Sequence, residues 1–341
     1  MKEEKQHKMS ATYTKRFPEY VKWLLLLLFT LSMFVVAMTF GAANVSIHDV
    51  YTAIFTQETS KNIAIIREIR LPRELAALVV GAALAVAGAI MQGMTRNPLA
   101  DPGLFGLSAG ASAALALTLS LYAQANYFIL MLVSFIGAGL GGLLVFTIAS
   151  AKRGKIAPLQ LVLAGAAVSA FLFAIAEGTG LYFKVTRQMT SWTAGGMVGT
   201  TWGQLRIVIP VIFIGILCAI LLSRQLTILS LDEAVATGLG QKTALVKICL
   251  FVVITLLVGA SVALAGNITF VGLLIPHIAR RIAGSDYRVL IPMSVLIGGG
   301  FMLLADTIGR TIHAPFETSV PAIVAIIGLP FFLMIVRKGV V

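Results

Sequence analysis

Charge is scarce in this sequence. Asp, Glu, Lys and Arg make up 12% of its 341 residues and apolar types 58%, whereas soluble domains carry about 25% charged residues. An ordinary water-soluble domain and a disordered chain are both excluded. The apolar runs are long and do not alternate, which excludes a transmembrane β-barrel. Cysteine is almost missing: Cys218 and Cys249 both fall inside apolar runs, so no disulfide framework or redox pair is expected. The four histidines, His7, His48, His277 and His313, are far apart and show no metal-ligand spacing. An intramembrane metalloenzyme is left without ligands. No phosphate loop occurs either, because GLGQKT (238–243) places Gln241 between Gly240 and Lys242, where G-K-[ST] must be contiguous. The chain is therefore expected to bind no nucleotide or other cofactor. Acids inside the apolar runs are limited to Glu177 and Asp306, and Asp306 has Arg310 one helical turn later. Two scattered acids make a poor proton relay.

What is present is apolar sequence in membrane-sized blocks. They run at Trp23–Ala42, Leu75–Met94, Leu104–Leu121, Tyr127–Ala149, Leu159–Tyr182, Leu205–Leu222, Ala244–Ala265, Ile268–Ile282, Leu290–Ile308 and Ala322–Val336. A span needs roughly 20 apolar residues, so the expected fold is an all-α polytopic membrane protein of about ten helices. Residues 1–22 form a basic tail and 23–341 the transmembrane domain. Ile268–Ile282 and Ala322–Val336 are short, as broken elements are, and such elements are tolerated only where protein or a cavity covers them. With the N-terminus in the cytoplasm, about two thirds of the Lys and Arg fall inside. This orientation places both termini in the cytoplasm, with Trp23 near the inner interface and Trp192 and Trp202 near the outer one. The net charge of +12 then faces anionic lipid headgroups, and nucleic acid is not needed to explain it.

Two internal patterns bear on architecture. VGAALAVAG (80–88) is echoed by VGASVALAG (258–266). The two stretches would run in opposite directions, so segments two to five and seven to ten are expected to form an inverted repeat. Small-xxx-small pairs, Gly106/Gly110, Gly137/Gly141 and Gly195/Gly199, predict close helix contacts.

Three stretches break the apolar pattern. In TRNPLADPGLFGLSAGA (95–111), Asn97–Pro98 and Asp101–Pro102, followed by Gly103, end the second segment in a rigid polar turn. In NITFVGLLIPHIARRIAGSDYR (267–288), Pro276 sits within a short helix, with His277 beside it and Arg280 and Arg281 at its cytoplasmic end. In SRQLTILSLDEAVATGLGQKTALVK (223–247), a polar loop has room for two short helices, with Asp232–Glu233 suited to a helix N-terminus and Gly238 and Gly240 to its end. Such a loop is a ready docking knob for a soluble subunit. Glu177 either lines a pathway or bonds a neighbouring helix.

These stretches, together with IRLPR (69–73), WTAGGMVGTTW (192–202), LLADTIGR (303–310) and IIGLPFFL (326–333), resemble the FecCD-type permease subunits of bacterial ATP-binding-cassette importers for iron–siderophore complexes, haem and cobalamin. They follow family order over nearly the whole chain after the first helix. The resemblance implies the type II importer permease fold and a chain that is not itself an enzyme. It implies a second permease, identical or homologous, two cytoplasmic ATPases that use ATP, and an extracytoplasmic binding protein. Arg70, Arg73 and Arg310 match receptor-docking arginines. Leu231, Asp232, Glu233, Ala234, Gly238 and Gly240 match the stretch that couples to the ATPase. Gln92, Asn97, Pro98, Asp101, Pro102, Gly103, Pro276, His277 and Arg280 match a gating or structural motif. A ferric siderophore, which brings its own oxygen ligands, is the expected cargo. Cobalamin and haem are alternatives, and an ion-coupled secondary transporter is the alternative from another class.

Overall fold

Hydrocarbon offers no hydrogen-bond partners, so a backbone crossing it must satisfy its own N–H and C=O groups, and a helix does this within one segment. The computed structural model describes residues 18–41, 45–122, 124–150, 158–187, 196–231, 233–314 and 316–337. Every regular element among these residues is helical. Most of the basic tail, residues 151–157, Trp192, Gly195 and Asp232 lie outside the described residues.

In chain order the helices are α1 (Glu19–Thr39), α2 (Ile47–Phe55), α3 (Lys61–Thr95), α4 (Leu107–Leu121), α5 (Tyr127–Ser150) and α6 (Pro158–Tyr182). Then follow α7 (Trp202–Leu221), α8 (Ser223–Leu231), α9 (Glu233–Gly238), α10 (Thr243–Ala265), α11 (Val271–Ala283), α12 (Tyr287–Thr311) and α13 (Val320–Arg337). Each expected apolar segment is a helix. Seven are long and apolar enough to cross a membrane, while α4, α11 and α13 are shorter. Two short helices do occupy the 223–247 loop. The small helix α2 had no apolar signal; it starts with a capping box in which Ser46 and Asp49 satisfy each other's backbone N–H.

The largest departure concerns α3. Hydropathy places its start at Leu75, but the helix begins at Lys61. Lys61, Arg67, Glu68, Arg70, Arg73 and Glu74 mask the continuation. Pro72 reads as a helix start, because it lacks an N–H and its ring crowds the preceding turn. The chain absorbs it with a π turn over Ile66–Arg70, where Leu71 N–H reaches back to Ile66 O. Such a turn is a recognised way to carry a helix through a local defect.

Helix α3 is also the centre of the bundle. Of its most apolar window 83% is buried, against 72% for α12, 67% for α10 and 17% for the peripheral α1. Glycine makes this possible at two crossings. A Cβ on Gly88 would lie 1.9 Å from Gly272 O of α11, and one on Gly81 2.3 Å from Gly298 O of α12. The predicted pairs Gly106/Gly110 and Gly137/Gly141 meet each other across α4 and α5: a Cβ on Gly110 would lie 2.1 Å from Gly137 O.

The packing agrees with an internal repeat in which α3–α6 correspond to α10–α13. The first helix of each half packs on the third of the other, α3 on α12 and α10 on α5. Both second helices, α4 and α11, are short and are preceded by a left-handed residue, Gly106 at φ 76° and Phe270 at φ 69°, that of α4 following a 3-10 turn over Pro102–Phe105. Phe270 carries the steric cost of that conformation. Gly328 of α13 makes room for it, since a Cβ there would sit 2.7 Å from Phe270 Cβ.

Candidate functional site

Functional side chains gather at the two ends of the α3–α12 pair. At one end the π turn and the first turns of α3 meet the C-termini of α1 and α12. Arg73 grips Asp306 with two nitrogens, Nε at 3.0 Å from Oδ2 and Nη2 at 2.9 Å from Oδ1. Its third nitrogen, Nη1, reaches Glu317 Oε1 at 2.8 Å. Arg310 lies 2.6 Å from Glu74 and 3.2 Å from Asp306. Arg310 also donates to Ala37 O at 2.9 Å, and Arg70 to Met38 O and Thr39 O at 2.6 and 3.0 Å. These carbonyls end α1, where the helix dipole favours a cation. Arg73 and Arg310 thus share three acids, with Arg70 beside them on the carbonyls of α1.

Arg70, Arg73 and Arg310, expected from the resemblance to dock a receptor, are met here by groups of this chain. They are 5%, 7% and 7% exposed. A guanidinium beside an apolar bundle must find acids or carbonyls to offset its lost hydration, and here it finds them within the chain. The accessible acid is Glu317, whose side chain is 41% exposed. Sequence reasoning missed Glu74 and Glu317. Glu74, adjacent to Arg73 at the edge of an apolar run, is the signal that was available.

At the other end, α8 and α9 project from the bundle. Leu231 at the end of α8, Val235 in α9 and Leu239 just after α9 are 66%, 49% and 67% exposed, three apolar side chains on the surface of this region. Ala234 and Gly238 are exposed on α9, and no atom would meet a Cβ on Gly238. Gly240 ends the helix at φ 79°, with Gly240 N–H on Thr237 O and Gln241 N–H on Ala236 O, as the sequence predicts. Glu233 is in α9, and Asp232 is outside the described residues.

Between these ends the Pro-rich motif folds into the core. Gln92 is 2% exposed and Asp101 4%. Asp101 Oδ1 accepts from Gly103 N–H at 2.7 Å and Asn97 Oδ1 from Leu99 N–H at 2.9 Å; these turns, with Pro98 and Pro102, shape the link from α3 to α4. A Cβ on Gly103 would come 3.4 Å from Thr269, so the segments that lead into α4 and α11 touch. Pro276 and His277 are buried in α11, with the His277 ring edge-on to Phe331 at 5.6 Å. Arg280 donates to Gln92 Oε1 and Tyr287 Oη. Glu177 is exposed on α6, apart from both clusters. Among the described residues no group of three His, Cys, Asp or Glu side chains is arranged to hold a metal ion.

The profile of the FecCD transport family matches residues 24–338. The iron(3+)-hydroxamate import system permease protein FhuB of Bacillus subtilis (strain 168) is 41% identical over 303 residues, covering 89% of this chain and 79% of that protein. The Fe(3+)-citrate import system permease protein YfmD of the same organism is 38% identical over 333 residues, 98% of each chain. A solved structure described as an inward-facing metal-chelate type ABC transporter superposes with a TM-score of 0.78 at 29% identity, covering 92% of this chain and 98% of that one.

Proposed function

This chain belongs to the FecCD transport family, and on that premise we propose that it is the permease of an ATP-binding-cassette importer that admits a ferric siderophore. The observation that carries the reading is the agreement of hydroxamate- and citrate-import permeases with this chain over nearly its full length. The chemistry is compatible. A siderophore supplies iron's ligands, so a conduit needs no metal-binding cluster, and no bond is made or broken by this chain.

The division of labour follows from the two ends. The exposed Leu231, Val235 and Leu239 in and beside α8 and α9 suit a groove on a cytoplasmic ATPase, and in this reading that end and both termini lie on the cytoplasmic side. The ion cluster then faces outward and meets the binding protein, with Glu317 as its accessible charge. A second permease completes the pathway against the exposed faces of α6 and α13, where Phe171, Ile326 and Leu333 stand 61%, 68% and 57% exposed. ATP binding on the partners drives the shift between outward and inward states through its different affinity for each.

The test is reconstitution of the permease with its ATPase and binding protein in liposomes, with radiolabelled iron as the readout. ATP-dependent uptake of a ferric hydroxamate or ferric citrate is expected. Uptake of cobalamin or haem with no ferric siderophore uptake would overturn the cargo assignment. Uptake without ATPase that collapses with a protonophore would overturn the mechanism.

A further inference from the structure

A continuous line of hydrogen bonds runs from the α8–α9 loop into the centre of the bundle. It starts at Thr227 of α8. Its hydroxyl accepts from the backbone N–H of Tyr287, the first residue of α12, at 3.0 Å, and lies 3.3 Å from Asp286 Oδ1. Tyr287 is 3% exposed, and its phenol oxygen accepts from Arg280 Nη2 at 3.3 Å. Arg280 Nη1 donates to Gln92 Oε1 at 3.2 Å. The line ends where Gln92 Nε2 donates to Gly272 O and Leu273 O, both at 3.3 Å.

The last link has a specific cause. In a helix, Gly272 O would accept from the N–H four residues later. That residue is Pro276, which has none. The Gln92 amide fills the vacancy from a neighbouring helix, and buried carbonyls are rarely left unpaired. Gly272 lies two residues after Phe270, the left-handed entry to α11, and against Gly88 at backbone contact. Gln92 therefore holds the point where a broken segment enters the core.

We propose that Thr227, Tyr287 and Gln92 are positioning residues of one relay, by which movement of the α8–α9 loop shifts the entry of α11 and so opens or closes the cargo pathway. The inference rests on the permease reading above. It goes further in assigning transmission to groups inside the bundle, Tyr287 and Gln92 being 3% and 2% exposed. Thr227 and Tyr287 lie in the 223–247 and 267–288 stretches, where the sequence gives neither a role.

The relay is tested in the complete importer in liposomes by counting iron imported per ATP hydrolysed. Thr227→Val removes the hydroxyl at constant shape, Tyr287→Phe removes the phenol oxygen, and Gln92→Leu removes the amide. Each variant is expected to keep ATP hydrolysis while iron per ATP falls about fivefold, the lower range of coupling between linked sites. Thr227→Ser is expected to restore the ratio. The Thr227→Val/Gln92→Leu double variant should be no worse than its poorer single, since both interrupt one line. If Gln92→Leu fails to insert, Thr227→Val with Tyr287→Phe forms the same cycle. An unchanged ratio in Thr227→Val and Tyr287→Phe, or losses that multiply, would overturn the relay. Absence of ATP-driven uptake by the native complex would instead overturn the parent reading.

Discussion

Asp306 is the residue on which most charge converges. Its side chain is fully buried and faces Arg73 and Arg310. Asp306→Asn removes the acid and leaves two guanidinium groups to share what remains. Breaking a buried pair by removing one partner costs about 3–5 kcal/mol, so a clear fall in thermal midpoint is expected in detergent. Glu317→Gln removes an acid that is half exposed, and its cost should stay within about 1 kcal/mol. Equal losses from the two would contradict this ranking. The intrachain partners of the arginines were not legible in the sequence. IRLPR displays three apolar or proline residues between and before two arginines, and nothing local reveals that Asp306 and Glu317, over 230 positions away, would enclose them. The Asp306–Arg310 turn was legible because its spacing is local.

At the scale of elements, hydropathy located the helices well and their ends poorly. The start of α3 was hidden because charged residues at helical spacing become core once they pair. Glycine contacts were legible for α4 and α5 from small-xxx-small spacing, whereas the approach of Gly88 to Gly272 depends on a broken helix that spacing cannot describe. The two kinds of glycine predict opposite outcomes. Gly88→Ala drives a methyl into the backbone of α11 and should cost at least about 1–3 kcal/mol, read as loss of the monodisperse peak on size-exclusion chromatography. Gly238→Ala meets no atom and should be neutral or gain up to about 1 kcal/mol from helix propensity. Asp286, which caps α12 and accepts from Arg288 N–H, gives a pH prediction. The Arg288 side chain and N–H hold its carboxyl below the ordinary value. A depressed carboxylate contributes fully above its unfolded pKa, about 3.9, and loses that contribution as pH falls through its folded value. Asp286→Ala should therefore cost about 1 kcal/mol at neutral pH, and its melting curve should converge with the parent's only in stronger acid. A gap that closed between pH 7 and 5 would contradict the assignment.

For the molecule as a whole, the absence of a nucleotide motif from the sequence accords with the family. In the proposed function the chain supplies a path and its partners supply the work. Purified alone in liposomes it is expected to accumulate no ferric siderophore against a gradient, measured by filtration of labelled iron. Concentrative uptake by the lone chain would contradict the proposed function. The repeat was legible from one echoed stretch, VGAALAVAG and VGASVALAG, and the reciprocal packing of α3 on α12 and α10 on α5 accords with it.

The bond between Arg73 and Asp306 also sets a schedule for biogenesis. As a nascent chain leaves the ribosome, Arg73 enters the translocon with the second apolar helix, and Asp306 is still 233 residues from synthesis. During that interval the guanidinium must wait near the aqueous rim, since an unpaired cation at bilayer depth is costly. The bundle is sealed only when its penultimate apolar helix arrives. Truncated products that stop before α12 should accordingly be poor survivors of membrane quality control, well before transport is ever tested.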